Sequence, residues 1–253
     1  MTEPERLQRP DGESIAYHRL EGKAPGVIFC GGFMSDMTGT KAIALEEHCR
    51  TRGQAFVRFD YLGHGQSSGD FAAKGCISRW ADDAAAVLTE LTDGPQIVVG
   101  SSMGGWVALK LALSHQEPVA ALVGIAPAPD FTVWMWEDLT SEQQSELTDK
   151  GQIRVHSEYD PDGYVITRQL IDDGTPNFVL TDAEIPLDMP VRLLHGMADP
   201  DVPWQHSLRI AQHLRSADVR ISFSKSGDHR LSEPGDLDLL RATIDELSAL
   251  ISA

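Results

Sequence analysis

Short apolar runs recur along this chain, and most are followed by a stretch whose apolar residues fall at helical spacing. GVIFC (26–30), QAFVRFD (54–60), QIVVG (96–100), VAALVGIAPAP (119–129), VRLLHG (191–196) and DVRISFS (218–224) read as strands. KAIALEEHCRTRG (41–53) and SRWADDAAAVLTELTDG (78–94) read as helices stopped by glycine. GWVALKLALS, after the third run, reads as a buried helix, and helical patterns occupy 204–215 and 235–251. Alternation at this spacing predicts an α/β architecture, a mostly parallel central sheet with helices on both faces. At the start, ERLQRP and SIAYHRL flank Asp11-Gly12, which predicts an antiparallel hairpin at one edge.

The rhythm stops between residues 130 and 189. FTVWMWEDLTSEQQSELTDKG reads as one helix with an aromatic start. After it, turn signals at Asp160-Pro161-Asp162-Gly163 and Gly174-Thr175-Pro176 mix with short strand-like pieces. This is too long for a simple connection between two strands, so 130–189 is expected to be a small cap inserted in a single domain of residues 1–253. No linker, repeat or low-complexity tract divides the chain.

Composition narrows the classes. A net charge of −17 repels polyphosphate backbones and anionic lipid surfaces, so neither nucleic acid nor stable membrane association is expected. Within 130–189, fourteen acids face Lys150, Arg154 and Arg168, a net charge of −11. Cys30, Cys49 and Cys76 form no paired spacing, which reads as reduced thiols and no metal site. The amino terminus, MTEPERLQRPDG, lacks the apolar run of a signal peptide and the basic, acid-poor character of a transit peptide, so a cytoplasmic location is expected. No pattern specifies an oligomeric state.

The segment GSSMGGW (100–106) carries chemistry. Gly100-Ser101-Ser102-Met103-Gly104 fits G-x-S-x-G between a strand and a helix, a turn so tight that small residues are needed two positions either side of its centre. Centring on Ser101 would place Val99 and Met103 at those crowded positions, so Ser102 is the candidate nucleophile. A serine needs a base, a group orienting that base, and donors for the oxyanion. The acid and then the histidine should follow in chain order on loops beyond strand ends. Asp199, in MADPDVP, and His229, in KSGDHRLSEPG, meet that requirement. Asp201 is the rival acid, disfavoured because it leads into the following helix, and Asp228 reads as a turn residue. His195 is expected beneath the acid loop and His64 to shape the FDYLGHGQSSG loop, whereas His48, His115, His206 and His213 fall on helical stretches. The Met103 amide and an amide of the Cys30-Gly31-Gly32-Phe33 loop, that of Phe33, are the candidate oxyanion donors. Cys30 reads as a buried apolar residue. The scheme calls for no cofactor and no metal.

With these residues in place, the chain resembles the α/β hydrolases throughout. More narrowly it resembles the mitochondrial α/β-hydrolase-domain proteins of the palmitoyl-protein thioesterase and acyl-glucuronide esterase type. GTKAIALEEHC, RFDYLGHGQSSGD, GPQIVVGSSMGGW, VRLLHGMADPDVPW and SGDHRLSEPGDLDLL carry the likeness, and the leader-free start suggests a bacterial-type relative. The resemblance implies a triad of Ser102, Asp199 and His229. Many relatives carry a histidine where this chain has Gly31. The expected function is that of a serine carboxylic-ester hydrolase working through an acyl-enzyme on a small or lipid-like acyl ester. An acyl-protein (palmitoyl) thioesterase is the close alternative, and a non-catalytic binding protein on the same fold the distant one. A perhydrolase or C–C bond hydrolase remains open with the same triad. A haloalkane dehalogenase is disfavoured because its elbow carries a carboxylate. The expected partner is thus a small-molecule ester or thioester, with an acylated protein also a candidate. The acidic cap favours a neutral ester or lipidated peptide over an anionic leaving group. Phe131, Trp134, Met135 and Trp136 are the candidate substrate-binding residues, lining an acyl pocket or docking the cap onto the sheet.

Overall fold

A computed structural model describes residues 3–157 and 161–252. The amino-terminal part contains β1 (Glu5–Gln8), β2 (Ser14–Leu20), β3 (Lys23–Cys30), α1 (Thr40–Arg52), β4 (Gln54–Phe59), a single turn α2 (Phe71–Lys74) and α3 (Ile77–Leu91). Next come β5 (Gln96–Ser101), α4 (Met103–Ser114) and β6 (Val119–Ile125). The inserted stretch holds α5 (Thr132–Glu137), α6 (Ser141–Lys150), β7 (Gln152–Val155), β8 (Tyr164–Thr167) and α7 (Arg168–Gly174). Finally, β9 (Val191–Gly196), α8 (Gln205–His213), β10 (Val219–Ser224) and α9 (Pro234–Ile251) complete the chain.

The described residues form an eight-stranded sheet in the order β1-β2-β4-β3-β5-β6-β9-β10. β2 runs antiparallel to both of its neighbours, and every pairing from β4 to β10 is parallel. The hairpin expected at one edge is therefore present. Alternation within the strands explains the two-sided core. Ile28, Cys30 and Val98 point to the face covered by α3 and α4, while Val27, Phe29, Ile97 and Val99 meet α1 and α9 on the other. Both sides are apolar, so the strands read as continuous runs.

Two expectations change. The run 119–129 is strand only to Ile125, because Pro127 and Pro129 cannot donate to a ladder and Ala126 takes a φ of 42°. The aromatic-led helix of the inserted stretch is two helices. Thr140 breaks it by capping α6, accepting from the Gln143 amide at 3.2 Å while the Gln143 side chain returns to the Thr140 amide at 2.9 Å. The turn signal at Asp160-Pro161-Asp162-Gly163 falls partly outside the described residues. On its described side, Arg154 Nη1 donates to the carbonyls of Asp162 and Gly163 at 2.8 and 3.1 Å.

The neck of the inserted stretch is clamped by Asp130. Its buried carboxylate accepts the amides of Val179 and Leu180 at 2.9 and 2.8 Å, joining the two ends of the excursion. A second tie runs from Asp173 to the amide and hydroxyl of Ser78, at 2.8 and 2.7 Å, at the start of α3.

Candidate active site

Ser102 occupies the turn between β5 and α4 with φ 55° and ψ −121°, a left-handed backbone that a non-glycine residue holds only under constraint. The constraint is visible. Its amide donates to the Ile125 carbonyl at 2.9 Å, and its carbonyl accepts from Ala128 at 3.0 Å, so β6 holds the turn from one side. A Cβ on Gly100 would collide with the Gly104 carbonyl, and one on Gly104 with the Cys30 carbonyl. Only hydrogen at these two positions lets strand and helix meet this closely.

The loops after β9 and β10 are fastened together: Met197 donates to the Ser224 carbonyl at 2.8 Å and Ala198 to the Gly227 carbonyl at 3.0 Å. This brings Asp199 and His229 together. His229 Nδ1 lies 2.8 Å from Asp199 Oδ2, and Nε2 lies 3.0 Å from Ser102 Oγ. The carboxylate fixes the proton on Nδ1, leaving Nε2 to accept from the serine hydroxyl. Asp199 Oδ1 accepts the amides of Asp201 and Val202 at 2.8 and 2.9 Å, and His195 Nε2 stands 3.3 Å from Oδ2. Burial would raise the Asp199 pKa, but the donors on His195 and His229 and the Val202 amide outweigh it and hold the carboxyl well below the usual range. The rival, Asp201, is exposed and meets Asp199 through its backbone, while Asp228 accepts the Leu231 amide at 3.0 Å as a turn residue does. His195 lies beneath the acid loop, with Nδ1 2.7 Å from Ser207 Oγ and Nε2 3.0 Å from the Val202 carbonyl.

The loop after β3 adjoins the nucleophile, since a Cβ on Gly32 would stand 3.5 Å from Ser102 Cβ. Phe33 is the next residue of this loop and shares a cavity wall with Ser102, and Met103 opens α4 directly after the nucleophile. The cavity here has a volume of about 580 Å³. Its wall includes the apolar side chains of Phe33, Phe131, Trp134, Met135, Tyr164 and Val202. It also includes polar groups and charges of both signs, on Ser35, Asp36, Thr38, Lys41, Arg230 and Ser232. Trp136 is not part of this wall. It packs with the small core of Leu139, Leu147, Ile153 and Ile166, and the Arg168 guanidinium lies 5.3 Å from its ring centre. The expectation of a substrate contact at Trp136 is corrected on that ground: along α5 it points to the opposite side from Phe131 and Trp134. Tyr164 was missed. It lies far along the chain in a weak strand pattern, and only the fold sets its ring 5.7 Å from that of Phe33.

Among the described residues, one His/Cys/Asp/Glu group has metal-ligand spacing: Asp199, Asp201 and His229, whose donor atoms lie within 4.8 Å of one another. A cation there would displace the proton that orients His229. No helix among these residues is long and apolar enough to cross a membrane.

The family model described as serine aminopeptidase, S33, matches residues 24–169. Palmitoyl-protein thioesterase ABHD10, mitochondrial, of Rattus norvegicus is 44% identical over 95% of this chain and 81% of its own length. The Homo sapiens protein of the same name is 41% identical over 95% and 78%. Among solved structures, alpha/beta hydrolase domain-containing protein 10 from mouse superposes with a TM-score of 0.90 at 43% identity, covering 99% of this chain and 100% of that one. A putative hydrolase from Agrobacterium vitis gives 0.91 at 41% identity, covering 97% and 98%. Fold and relatives together define an enzyme, a serine hydrolase of the α/β type. The chain belongs to the serine aminopeptidase, S33, family of α/β hydrolases and is a close homologue of the ABHD10 proteins. The names of those relatives carry a mitochondrial location, so they lend no support to the cytoplasmic expectation.

Proposed function

We propose that this enzyme hydrolyses acyl esters and thioesters through a covalent intermediate on Ser102. The observation that carries the reading is the unbroken chain from Ser102 Oγ to His229 Nε2 at 3.0 Å and from His229 Nδ1 to Asp199 at 2.8 Å. His229 takes the serine proton as Oγ attacks the acyl carbonyl, and the new oxyanion rests on the Met103 and Phe33 amides. The imidazolium then protonates the departing oxygen or sulfur, and water repeats the cycle to release the acid. Asp199 stays ionised throughout and stabilises the charged imidazole.

The leaving atom must lie beside His229, so the part of the wall formed by Arg230 and Ser232, its neighbours along the chain, takes the leaving group. The apolar wall of Phe131, Trp134 and Met135 takes the acyl chain. Residues 130–189 act as a cap that supplies most of that apolar wall. Three free, buried cysteines support a reducing compartment.

Fluorophosphonate titration with peptide mapping tests the core of the scheme. Stoichiometric adduct on Ser102 is expected, and Ser102→Ala should lose several orders of magnitude in kcat, keeping roughly 10³–10⁴ over water. Near-normal turnover by that variant would end the proposal. A second reading, acyl-protein thioesterase, is favoured by relatives named for that activity at 41–44% identity. Matched oxygen and sulfur esters of one long acyl chain, compared by kcat/KM, separate the two.

A further inference from the structure

The proposed chemistry leaves His64 without a proton to move, yet its surroundings are built with care. It lies on the loop after β4 and is 4% exposed. Tyr61, Phe71 and Trp80 surround its ring, with centroids 5.8, 5.4 and 5.1 Å away. Nδ1 stands 3.2 Å from the Leu62 carbonyl, so the proton is on Nδ1. That leaves Nε2 bare, and it accepts the Met34 amide at 3.2 Å. The hydrogen bond needs a neutral ring, and burial lowers the His64 pKa to about 4, partly opposed by the Leu62 carbonyl.

Met34 explains why such a bond is placed here. Its φ is 53°, in the left-handed region that an unbranched side chain enters only when its surroundings force it. Met34 follows Phe33, whose amide is the second oxyanion donor of the proposed mechanism. Gly32, on the other side, packs against Ser102. The donor is thus held between a residue fixed by the nucleophile and one in a strained turn. A second tie runs from the Met37 amide to the buried Asp60 carboxylate at 2.6 Å, and Asp60 also accepts the Gln66 amide at 2.8 Å. The loop after β4 therefore grips the loop after β3 at two amides. Phe33 and His64 also share Phe71 and Trp80 as ring neighbours, which makes the imidazole the polar anchor of an otherwise aromatic box.

We infer that His64 is a positioning residue for the oxyanion site: by accepting the Met34 amide it maintains the left-handed turn that aims the Phe33 amide at the substrate carbonyl. This rests on the acyl-transfer reading above. Loss of one oxyanion donor lowers kcat by roughly 10²–10³, and a donor displaced rather than removed by somewhat less.

The test pairs two variants. His64→Phe keeps an aromatic ring in the box and removes the acceptor; His64→Gln restores an acceptor near the Nε2 position. For His64→Phe, kcat should fall by roughly 10- to 100-fold with KM changed less than about two-fold. Affinity for a trifluoromethyl ketone, which forms a tetrahedral oxyanion on the serine, should fall by the same factor as kcat/KM. His64→Gln should recover most of the loss in both. Wild-type kcat in His64→Phe, or equal losses in both variants that follow Tm alone, overturns the inference. If neither variant folds, the nitrogen NMR shifts of His64 in the wild-type protein decide: a protonated Nδ1 with a bare Nε2 is required, and the opposite tautomer refutes it. Failure of the wild-type enzyme to label with fluorophosphonate would instead remove the underlying reading, so the two failures are distinguishable.

Discussion

Asp199 accepts more hydrogen bonds than one imidazole requires. Two amides occupy Oδ1 and two histidines address Oδ2, and the side chain is fully buried. An amide in its place would present an NH₂ toward one of those histidines and force the wrong tautomer on the ring that serves Ser102. Asp199→Asn should therefore lower kcat by about 10⁴-fold with little change in Tm, measured on a chromogenic ester. A loss below about ten-fold would show that Asp201 takes over as the acid. His64 makes a separate prediction about stability. Its folded pKa, about 4, lies below the ordinary 6.5. The unfolded chain therefore binds a proton below pH 6.5 that the folded one refuses. The contribution of the neutral ring is fully present above pH 6.5 and is lost as the pH falls toward 4, amounting to about 3 kcal/mol. Buried Asp60 and Asp83, whose pKa values burial raises, respond with the opposite sign. Urea denaturation of wild type and His64→Gln between pH 7 and pH 4.5 should give curves that converge as the pH drops. Parallel curves would show that His64 takes up its proton equally in the folded and the unfolded chain.

At the scale of elements, the elbow is the least forgiving joint. A Cβ on Gly104 meets backbone oxygens of Cys30 and Gly31, which cannot swing aside as a side chain can. Gly104→Ala should cost about 3 kcal/mol or more by chemical denaturation, above the usual range for an extra methylene because the neighbour is main chain. Gly235, near the start of α9 with nothing within 4 Å of a built Cβ, is the control, and alanine there should add about 0.5–1 kcal/mol. Equal effects at both sites would discard the close-approach argument. The same joint shows why so much was legible in the sequence. G-x-S-x-G, its flanking strand and helix, and the loops bearing Asp199 and His229 are local patterns, and each sits at a strand's end. Thr140-x-x-Gln143 was also legible as a capping signal, but the aromatic run before it suggested one continuous helix. Strand order was not legible, since the position of β4 outside β3 is decided by crossovers rather than by any strand's residues. The contact between His64 and Met34 joins two loops thirty residues apart, and no spacing rule links them.

For the whole molecule, charge separates what the surface does from what the cavity does. The chain carries −17, concentrated in the inserted stretch, whose Lys150 and Arg168 are already paired with Glu146 and Asp172. The cavity wall nevertheless contains Lys41 and Arg230 as well as Asp36 and Asp201, and Lys41 donates to the Arg230 carbonyl next to His229. An approaching anion therefore meets a repulsive far field and a balanced near field. The far field is screened by salt, its reach falling from roughly 30 Å at about 10 mM to about 8 Å at about 0.15 M, whereas groups in contact are screened much less. It follows that kcat/KM for an anionic acyl thioester should rise several-fold over that range of ionic strength, while a neutral ester of the same acyl chain changes little. Stopped-flow rates at constant pH and matched acyl length measure both. A fall with salt for the anionic thioester would mean that Lys41 and Arg230 dominate its capture despite the acidic surface, and the neutral leaving group favoured by the cap's charge would then be the wrong choice.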